Sequence, residues 1–170
     1  FQIAENVVSD IYAGYMAPPT PFAGDRKNAN YSLMGGWNSW SFKMYNERVM
    51  APWMALKKLT LDENEFLEVY AVSNIIKVTA MMRNTDTYGP IPYSKFGQGG
   101  VSVAYDSQES VYTQFIQELD VAQEMLSDFL AGERSDVKAI KNYDIVYKSD
   151  YSKWMRYANS LRLRLAIRIS

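Results

Sequence analysis

The chain has 170 residues, 48% of them hydrophobic, and it carries 18 Lys and Arg against 19 Asp and Glu. This length and composition suffice for one domain with a hydrophobic core, and the near balance of charge argues against nucleic-acid binding. His and Cys are both absent, which removes the usual zinc ligands, the commonest general base and the thiol nucleophile. We therefore predict no catalytic residue, no metal site, no cofactor and no enzyme activity. No run of 18 apolar residues is present, so no membrane-spanning helix is predicted.

An amphipathic helix is predicted at the start of the chain. Ile3, Val7, Ile11 and Tyr15 recur every four residues, which is the spacing of one apolar helical face. The helix should stop before Pro18 and Pro19, because proline disfavours the helical conformation of the residue before it. Residues 17–40 are rich in Pro, Gly and polar side chains and predict a long surface loop.

Aromatic residues near the end of this loop are the candidate ligand-binding residues. They are Tyr31, Trp37 and Trp40, with Asn38 between the two tryptophans. A sugar ring presents a flat C–H face that an aromatic ring can cover, and its hydroxyl groups pair with side chains such as Asn. The alternative is that Trp40 and Phe42 begin the next helix and pack inward.

Two further helices follow the loop. The first runs over residues 41–59 and should bend or restart at Pro52. The next is predicted to begin at Thr60 or Asp62, each followed three residues later by a Glu as a capping box requires, and to end at about Asn84. Its predicted buried face consists of Phe66, Val69, Tyr70, Ser73, Ile76 and Met82. Residues 86–100 then form another loop rich in Gly and Pro.

The last two helices have the clearest patterns. Asp106 and Glu109 predict a capping box, and Gly132 is placed to end the helix. The apolar face of that helix consists of Val111, Phe115, Leu119, Ala122, Leu126 and Phe129. Asp150 is predicted to cap the final helix, whose main apolar stripe consists of Trp154, Ala158, Leu161, Leu165 and Ile169. Leu163 and Ile167 form a second stripe, which predicts that this helix is covered on more than one side.

These patterns together predict an all-α fold. Five helices are predicted, and no segment shows the period-two alternation of a half-buried strand. Antiparallel helix pairs with one face still needing cover indicate tetratricopeptide-like hairpins joined by long aromatic and Pro/Gly-rich loops, although no clean 34-residue repeat is visible. We expect residues 1–170 to form a single helical domain.

Three segments, in this order and at matching spacing, carry a family pattern. The first is Thr-Tyr-Gly-Pro-Ile-Pro-Tyr at 87–93, and the second begins with Tyr-Asp-Ser at 105–107 and continues to Leu126. The third leads from Tyr147, through Asp150, Lys153 and Trp154, into Ala-Asn-Ser-Leu-Arg-Leu-Arg at 158–164. Over residues 66–170 the chain resembles the SusD/RagB family of nutrient-binding outer-membrane lipoproteins.

The resemblance implies a function without bond making or breaking. Members of this family capture an oligosaccharide, or another small nutrient, and deliver it to a TonB-dependent, SusC-like transporter. Their location implies a lipid-anchored protein exposed at the surface of the outer membrane, with a lipidated Cys upstream of Phe1. Because the final helix stops in mid-pattern, we expect 1–170 to be an N-terminal portion of a longer SusD-like chain.

Two alternative functions stay open at this stage. One is a helical-repeat scaffold that binds only another protein, which would follow if the loop aromatics were buried and an outer helical face were apolar and exposed. The other is a hydrolase that uses carboxylates such as Asp62, Glu63 and Glu65. Acidic residues are expected at a helix start for the helix dipole alone, so the hydrolase is disfavoured.

Overall fold

The computed structural model describes residues 6, 8–20, 24, 26–100 and 102–170. Over these residues the regular structure is helical, and its β-type pairing is an isolated antiparallel bridge between Ile91 and Asp106. The all-α prediction is confirmed. The contacts divide the chain into two compact units, Phe1–Arg48 and Val49–Ser170.

The described residues of the first unit include two helices and a short 3₁₀ turn. Helix α1 spans Ser9–Tyr12, the turn spans Asn28–Asn30, and helix α2 spans Gly35–Tyr45. The predicted first helix was expected to reach Tyr15, but the chain turns at Gly14 with φ of +74°, so Tyr15 lies outside α1. The predicted positions Ile3 and Val7 lie outside the described residues.

Helix α2 begins earlier than the sequence indicates, which corrects the predicted loop. Gly35 and Gly36 suggested irregular structure, yet they form the first turn of the helix, where backbone N–H groups have no helical partner in any case. The start is fixed by Asn28, whose Oδ1 accepts the Met34 N–H at 3.1 Å and whose Nδ2 donates to Asn38 Oδ1 at 3.1 Å.

The predicted restart at Pro52 is confirmed. Helix α2 is followed by a π-helical segment over Asn46–Met50, and helix α3 spans Ala51–Leu59 with the proline in its first turn. Proline has no N–H to donate to the preceding turn and its ring crowds that turn's carbonyl. The wider π turn accommodates both effects at the junction.

The core of the second unit is made by three long helices. Helix α4 spans Leu67–Tyr88, helix α5 spans Gln108–Ala131, and helix α6 spans Tyr151–Ile169. Tyr112 near the start of α5 contacts Asp86 near the end of α4. Between α5 and α6, Gln123 contacts Asn159 and Asp120 contacts Arg162, so consecutive helices run antiparallel. Fully buried side chains of this core are Ala71, Ile75, Val78, Met81, Val111, Phe115, Leu119, Ala122, Leu126, Ala158 and Leu165. This is the hairpin packing that a tetratricopeptide-like fold requires.

The predicted start and face of α4 need correction. Thr60 donates its hydroxyl to the Leu56 carbonyl at 2.8 Å and so belongs to the end of α3, and α4 begins only after Phe66, at φ of +50° with no side-chain cap. Of the predicted buried face, Tyr70 and Met82 are buried but Phe66 and Ile76 are exposed. The reason is that α4 packs against α3, α5 and α6, so its buried surface is wider than one stripe.

Helices α5 and α6 follow their predicted patterns closely. The cap of α5 is Ser107, which accepts the Ser110 N–H, one residue after the predicted Asp106. Asp150 caps α6 as predicted and accepts the Lys153 N–H at 3.1 Å. In α6 the stripe from Trp154 to Leu165 is buried, whereas Leu163, Ile167 and Ile169 are exposed. Within the described residues nothing covers Leu163 and Ile167, so the cover on more than one side of α6 stays a prediction.

Candidate functional site

The first unit exposes a pair of tyrosines. Tyr31 follows the 3₁₀ turn in the left-handed conformation, at φ of +57°, and 84% of it is exposed. Its ring lies 6.4 Å from the ring of Tyr12, centroid to centroid, at an angle of 33°. Left-handed backbone at a residue other than glycine costs free energy and clusters at functional positions. Together these rings, the tyrosine pair, offer an aromatic surface to solvent.

The other three predicted site residues lie on the first turns of α2. Trp37 and Trp40 are three residues apart, so they lie on one side of the helix. Asn38 lies about 100° around the helix from Trp37. Trp40 is 42% exposed, and Trp37 is half-buried. Asn38 uses its Oδ1 to accept from Asn28. Trp40 is therefore accessible to solvent, while the Asn38 side chain helps to fix the start of α2.

Sequence reasoning missed part of this surface. The sequence places Tyr15 on the apolar face of the predicted first helix, yet Tyr15 and the neighbouring Tyr12 are both exposed. The available signal was Gly14, which lies between them and marks the end of the helix. An aromatic residue beside a helix-ending glycine is a better candidate for exposure than one inside the periodic pattern.

A buried ionic cluster lies in the second unit. Lys77 Nζ donates to Glu118 Oε1 at 2.7 Å, and the Tyr93 hydroxyl donates to Glu118 Oε2 at 2.5 Å. The same ammonium lies 3.7 Å from the centroid of the Trp53 ring, and Trp53 donates its indole N–H to Asn74 Oδ1 at 2.9 Å. Burial lowers the pKa of Lys77 and raises the pKa of Tyr93 well above its usual value. The cluster joins α3, α4, α5 and the turn after α4, so its role is structural.

The turn after α4 is rigid, as its composition predicts. Gly89 has φ of +74°, and its carbonyl accepts the Thr85 hydroxyl at 2.6 Å. The Asp106 carboxylate accepts the N–H groups of Tyr93 at 3.1 Å and Ser94 at 2.7 Å. Burial would raise the pKa of Asp106, but these hydrogen bonds outweigh it and hold the pKa below its usual value. Asp106 thus holds the turn at Tyr93 and Ser94 against the segment that leads into α5.

Two carboxylates in the described part of the chain, Asp86 and Asp62, are held in ion pairs. A cavity of about 620 Å³ is lined by both Asp86 and Glu109, but Asp86 pairs with Arg168 at 2.8 Å and accepts the Tyr112 hydroxyl at 2.5 Å. Burial, and then the bond to Asp86, raises the pKa of Tyr112 to about 12. The earlier candidate Asp62 forms an ion pair with Lys57 at 3.6 Å.

Two features are absent from the described part of the chain. No group of three or more acidic side chains that could hold a metal ion occurs there. Within the same residues no helix is both long enough and apolar enough to cross a lipid bilayer.

Comparison with known proteins identifies the family. The SusD-like family, described as SusD and RagB outer membrane lipoproteins, matches residues 1–170. A chitin-binding SusD homologue from Flavobacterium johnsoniae is 40% identical, with a TM-score of 0.90 over 99% of this chain. A SusD homologue from Bacteroides vulgatus is 34% identical, with a TM-score of 0.85 over 99% of this chain. The chain therefore belongs to the SusD-like family.

The match covers only part of each relative. This chain corresponds to 34% of the Flavobacterium johnsoniae protein and to 33% of the Bacteroides vulgatus protein, so it spans about a third of their length. A third homologue, from Bacteroides uniformis, is 34% identical over 99% of this chain, with a TM-score of 0.79 and 34% of its own length covered. A search of curated proteins gave no match.

Proposed function

We propose that the protein is a surface lipoprotein of the outer membrane that captures oligosaccharides without altering them. The observation that carries this proposal is the 40% identity to a chitin-binding homologue over 99% of the chain. Oligosaccharides of N-acetylglucosamine are therefore the first ligands to test. The captured glycan is passed to a TonB-dependent, SusC-like transporter, and the protein is held at the membrane through a lipidated Cys outside this chain.

The exposed aromatic residues of the first unit supply the chemistry for capture. The tyrosine pair and Trp40 present ring faces to solvent, and such faces cover the C–H surface of a sugar ring. Stacking of this kind is reversible and tolerates different sugars, while nearby polar groups set the orientation. Trp37 and Asn38 stay part of the proposed site, with Asn38 also holding the helix start.

Isothermal titration of the full-length protein with N-acetylglucosamine oligomers, alongside other glycans and peptides, tests this proposal. Tyr31→Ala and Trp40→Ala should each weaken binding about 5- to 15-fold, because one aromatic stack contributes about 1–1.5 kcal/mol. Tyr143→Ala is the matched control, since Tyr143 is also 84% exposed but lies in the second unit. Absence of binding to every glycan, or equal effects of Tyr31→Ala and Tyr143→Ala, would contradict the proposal.

A scaffold function without a small-molecule ligand is the second candidate. One observation favours it, because Leu163 and Ile167 on α6 expose an apolar stripe. The other condition for this function, buried aromatics in the first unit, is not met by Tyr31 and Trp40. Glycan capture is therefore the better supported of the two, and binding to a protein partner is compatible with it.

A further inference from the structure

A cavity of about 410 Å³ lies in the second unit, between the start of α4 and the end of α5. Phe66, Leu67 and Glu68 line it around the start of α4, and Asp128 and Phe129 line it from α5. This volume falls within the range of sites that hold small ligands. The cavity therefore has room for one small organic molecule.

The wall of this cavity includes a carboxylate that is buried without a counter-charge. Glu68 is 3% exposed, and its Oε1 has no hydrogen-bond partner. In the part of the chain that the structure describes, no Lys or Arg forms an ion pair with it. Burying an uncompensated charge costs free energy that a neutral side chain of the same size would not cost. A positively charged ligand from outside these residues would explain why a carboxylate lies here.

The other charged side chains around the cavity are mostly acidic. Glu65 and Asp128 line it together with Glu68, and Arg134 is the cation among the described residues that line it. The Arg134 guanidinium lies over the Phe66 ring, 5.7 Å from the ring centroid. Three carboxylates against one guanidinium give the cavity a negative potential, which attracts a cation.

The composition of the cavity favours an organic ammonium over a metal ion. The described residues include no group of three acidic side chains close enough to hold a metal ion, and Ca²⁺ takes about six to eight oxygen ligands. A primary ammonium group has three hydrogens to donate, so it needs fewer acceptors. It is also attracted to aromatic faces, and the rings of Phe66 and Phe129 line the cavity.

We propose that this cavity binds the primary ammonium group of a small organic ligand, with Glu68 as the main acceptor. Glu65 and Asp128 are exposed and accept the remaining hydrogen bonds, while the carbon skeleton of the ligand packs on Phe66. This role goes beyond the capture of glycans and does not depend on it, because the cavity lies in the second unit and the proposed glycan residues lie in the first.

Ligand-observed NMR titration of the full-length protein with glucosamine and with glucose tests the proposal. The two probes differ in one group, since glucosamine has an amine where glucose has a hydroxyl. At low ionic strength and slightly acid pH, where the amine is protonated, glucosamine should bind about tenfold more tightly than glucose. Titration with 1,4-diaminobutane distinguishes the source of the ammonium. Tighter binding than glucosamine identifies an aliphatic amine, weaker binding identifies an amino sugar, and either result supports an ammonium site.

Carboxylate variants test the role of Glu68. Glu68→Gln should weaken glucosamine binding about tenfold, and Asp128→Asn, at an exposed position, should weaken it about threefold. Glu63→Gln is the matched control, because Glu63 is an exposed carboxylate of the same segment that does not line the cavity, and it should leave the affinity unchanged.

Thermal unfolding separates a ligand-binding carboxylate from a structural one. Glu68→Gln should keep or raise the Tm, because it removes an uncompensated buried charge. A Tm lowered by Glu68→Gln would overturn the proposal, since Glu68 would then have a partner within the chain. The double variant with Arg134→Gln would show whether Arg134 is that partner.

Three further results would also overturn the proposal. They are equal affinities for glucosamine and glucose, an affinity for glucosamine unaffected by Glu68→Gln, and binding of Na⁺ or Ca²⁺ that excludes glucosamine. Binding of N-acetylglucosamine oligomers should be the same in the wild type and in Glu68→Gln. Failure of the ammonium site is therefore distinguishable from failure of glycan capture.

Discussion

Asp144 stabilises the second unit more than its sequence context suggests. Its neighbourhood, residues 136–149, is polar and turn-like in sequence, yet Asp144 is buried and accepts four hydrogen bonds from N–H groups. Burial alone would raise the pKa of this carboxyl, but the hydrogen bonds from Tyr147, Trp154, Ser149 and Val146 outweigh it and hold the pKa below its usual value. The folded protein therefore stabilises the ionised form of Asp144.

Asp144→Asn should destabilise the protein by about 2–4 kcal/mol at neutral pH, because the amide NH₂ would oppose two of the N–H donors. Since the folded pKa is lowered, the contribution of Asp144 is complete above its unfolded pKa of about 3.9 and is lost as the pH falls through the folded pKa. Urea unfolding of both proteins at neutral and acid pH should show the difference shrinking at low pH. A constant difference would contradict this account.

The Lys77 and Glu118 pair is the second residue-scale case. Lys77 is 2% exposed at its side chain and Glu118 is 24% exposed, so the ammonium depends on this one carboxylate. Replacing a buried ion pair can be nearly neutral, whereas removing one partner leaves an uncompensated charge. The cluster is therefore expected to show strong coupling between its members.

Glu118→Gln should lower the free energy of unfolding by about 2–4 kcal/mol. This is somewhat less than for a fully buried pair, because water reaches Glu118. Adding Lys77→Met should recover part of this loss, with a coupling energy of about 1–3 kcal/mol. Chemical denaturation of the wild type, both single variants and the double variant gives this coupling directly. Additive effects of the two substitutions would mean that the buried pair is not the stabilising contact.

At the scale of elements, periodicity predicted α5 and α6 well and the start of α2 poorly. Helices α5 and α6 are packed on one main face, so their apolar stripes appear plainly in the sequence. Helix α4 is packed by three others, and its buried surface includes Asn74, Lys77 and Asn84, which no apolar pattern identifies. The start of α2 was missed because Gly35 and Gly36 suggest a break, and because the side chain that fixes it, Asn28, lies before the helix in the predicted loop.

The turn between α4 and α5 gives a test at this scale. Gly89 has φ of +74° and ψ of −123°, and a Cβ there would meet no atom within 4 Å. Gly89→Ala should therefore cost about 1–3 kcal/mol from backbone strain alone.

Gly132 is the matched control for this substitution. It ends α5 at φ of −87°, where a Cβ would lie 3.4 Å from the nearest atom, the Asp128 oxygen. Gly132→Ala should change stability by less than about 1 kcal/mol. Thermal unfolding of both variants tests this prediction. Equal decreases in Tm would show that the backbone conformation of Gly89 is not the cause of the destabilisation.

For the whole molecule, motif order predicted the family correctly before any geometry was available. The proposed site was harder to predict, because it depends on which aromatic residues stay exposed. Tyr31 has a left-handed backbone and Tyr12 is the last residue of α1, and both are exposed. Neither conformation follows from hydrophobic spacing, so the sequence could nominate Tyr31 and Trp40 but could not pair Tyr31 with Tyr12.

A crystal structure of the full-length protein soaked with an N-acetylglucosamine oligomer tests the central claim most directly. We expect an unmodified sugar with at least one ring stacked on Tyr31 or Trp40 at van der Waals distance of about 3.5–4 Å. A sugar bound elsewhere while Tyr31 and Trp40 face only solvent would contradict the proposed site, and a cleaved oligomer would contradict capture without chemistry.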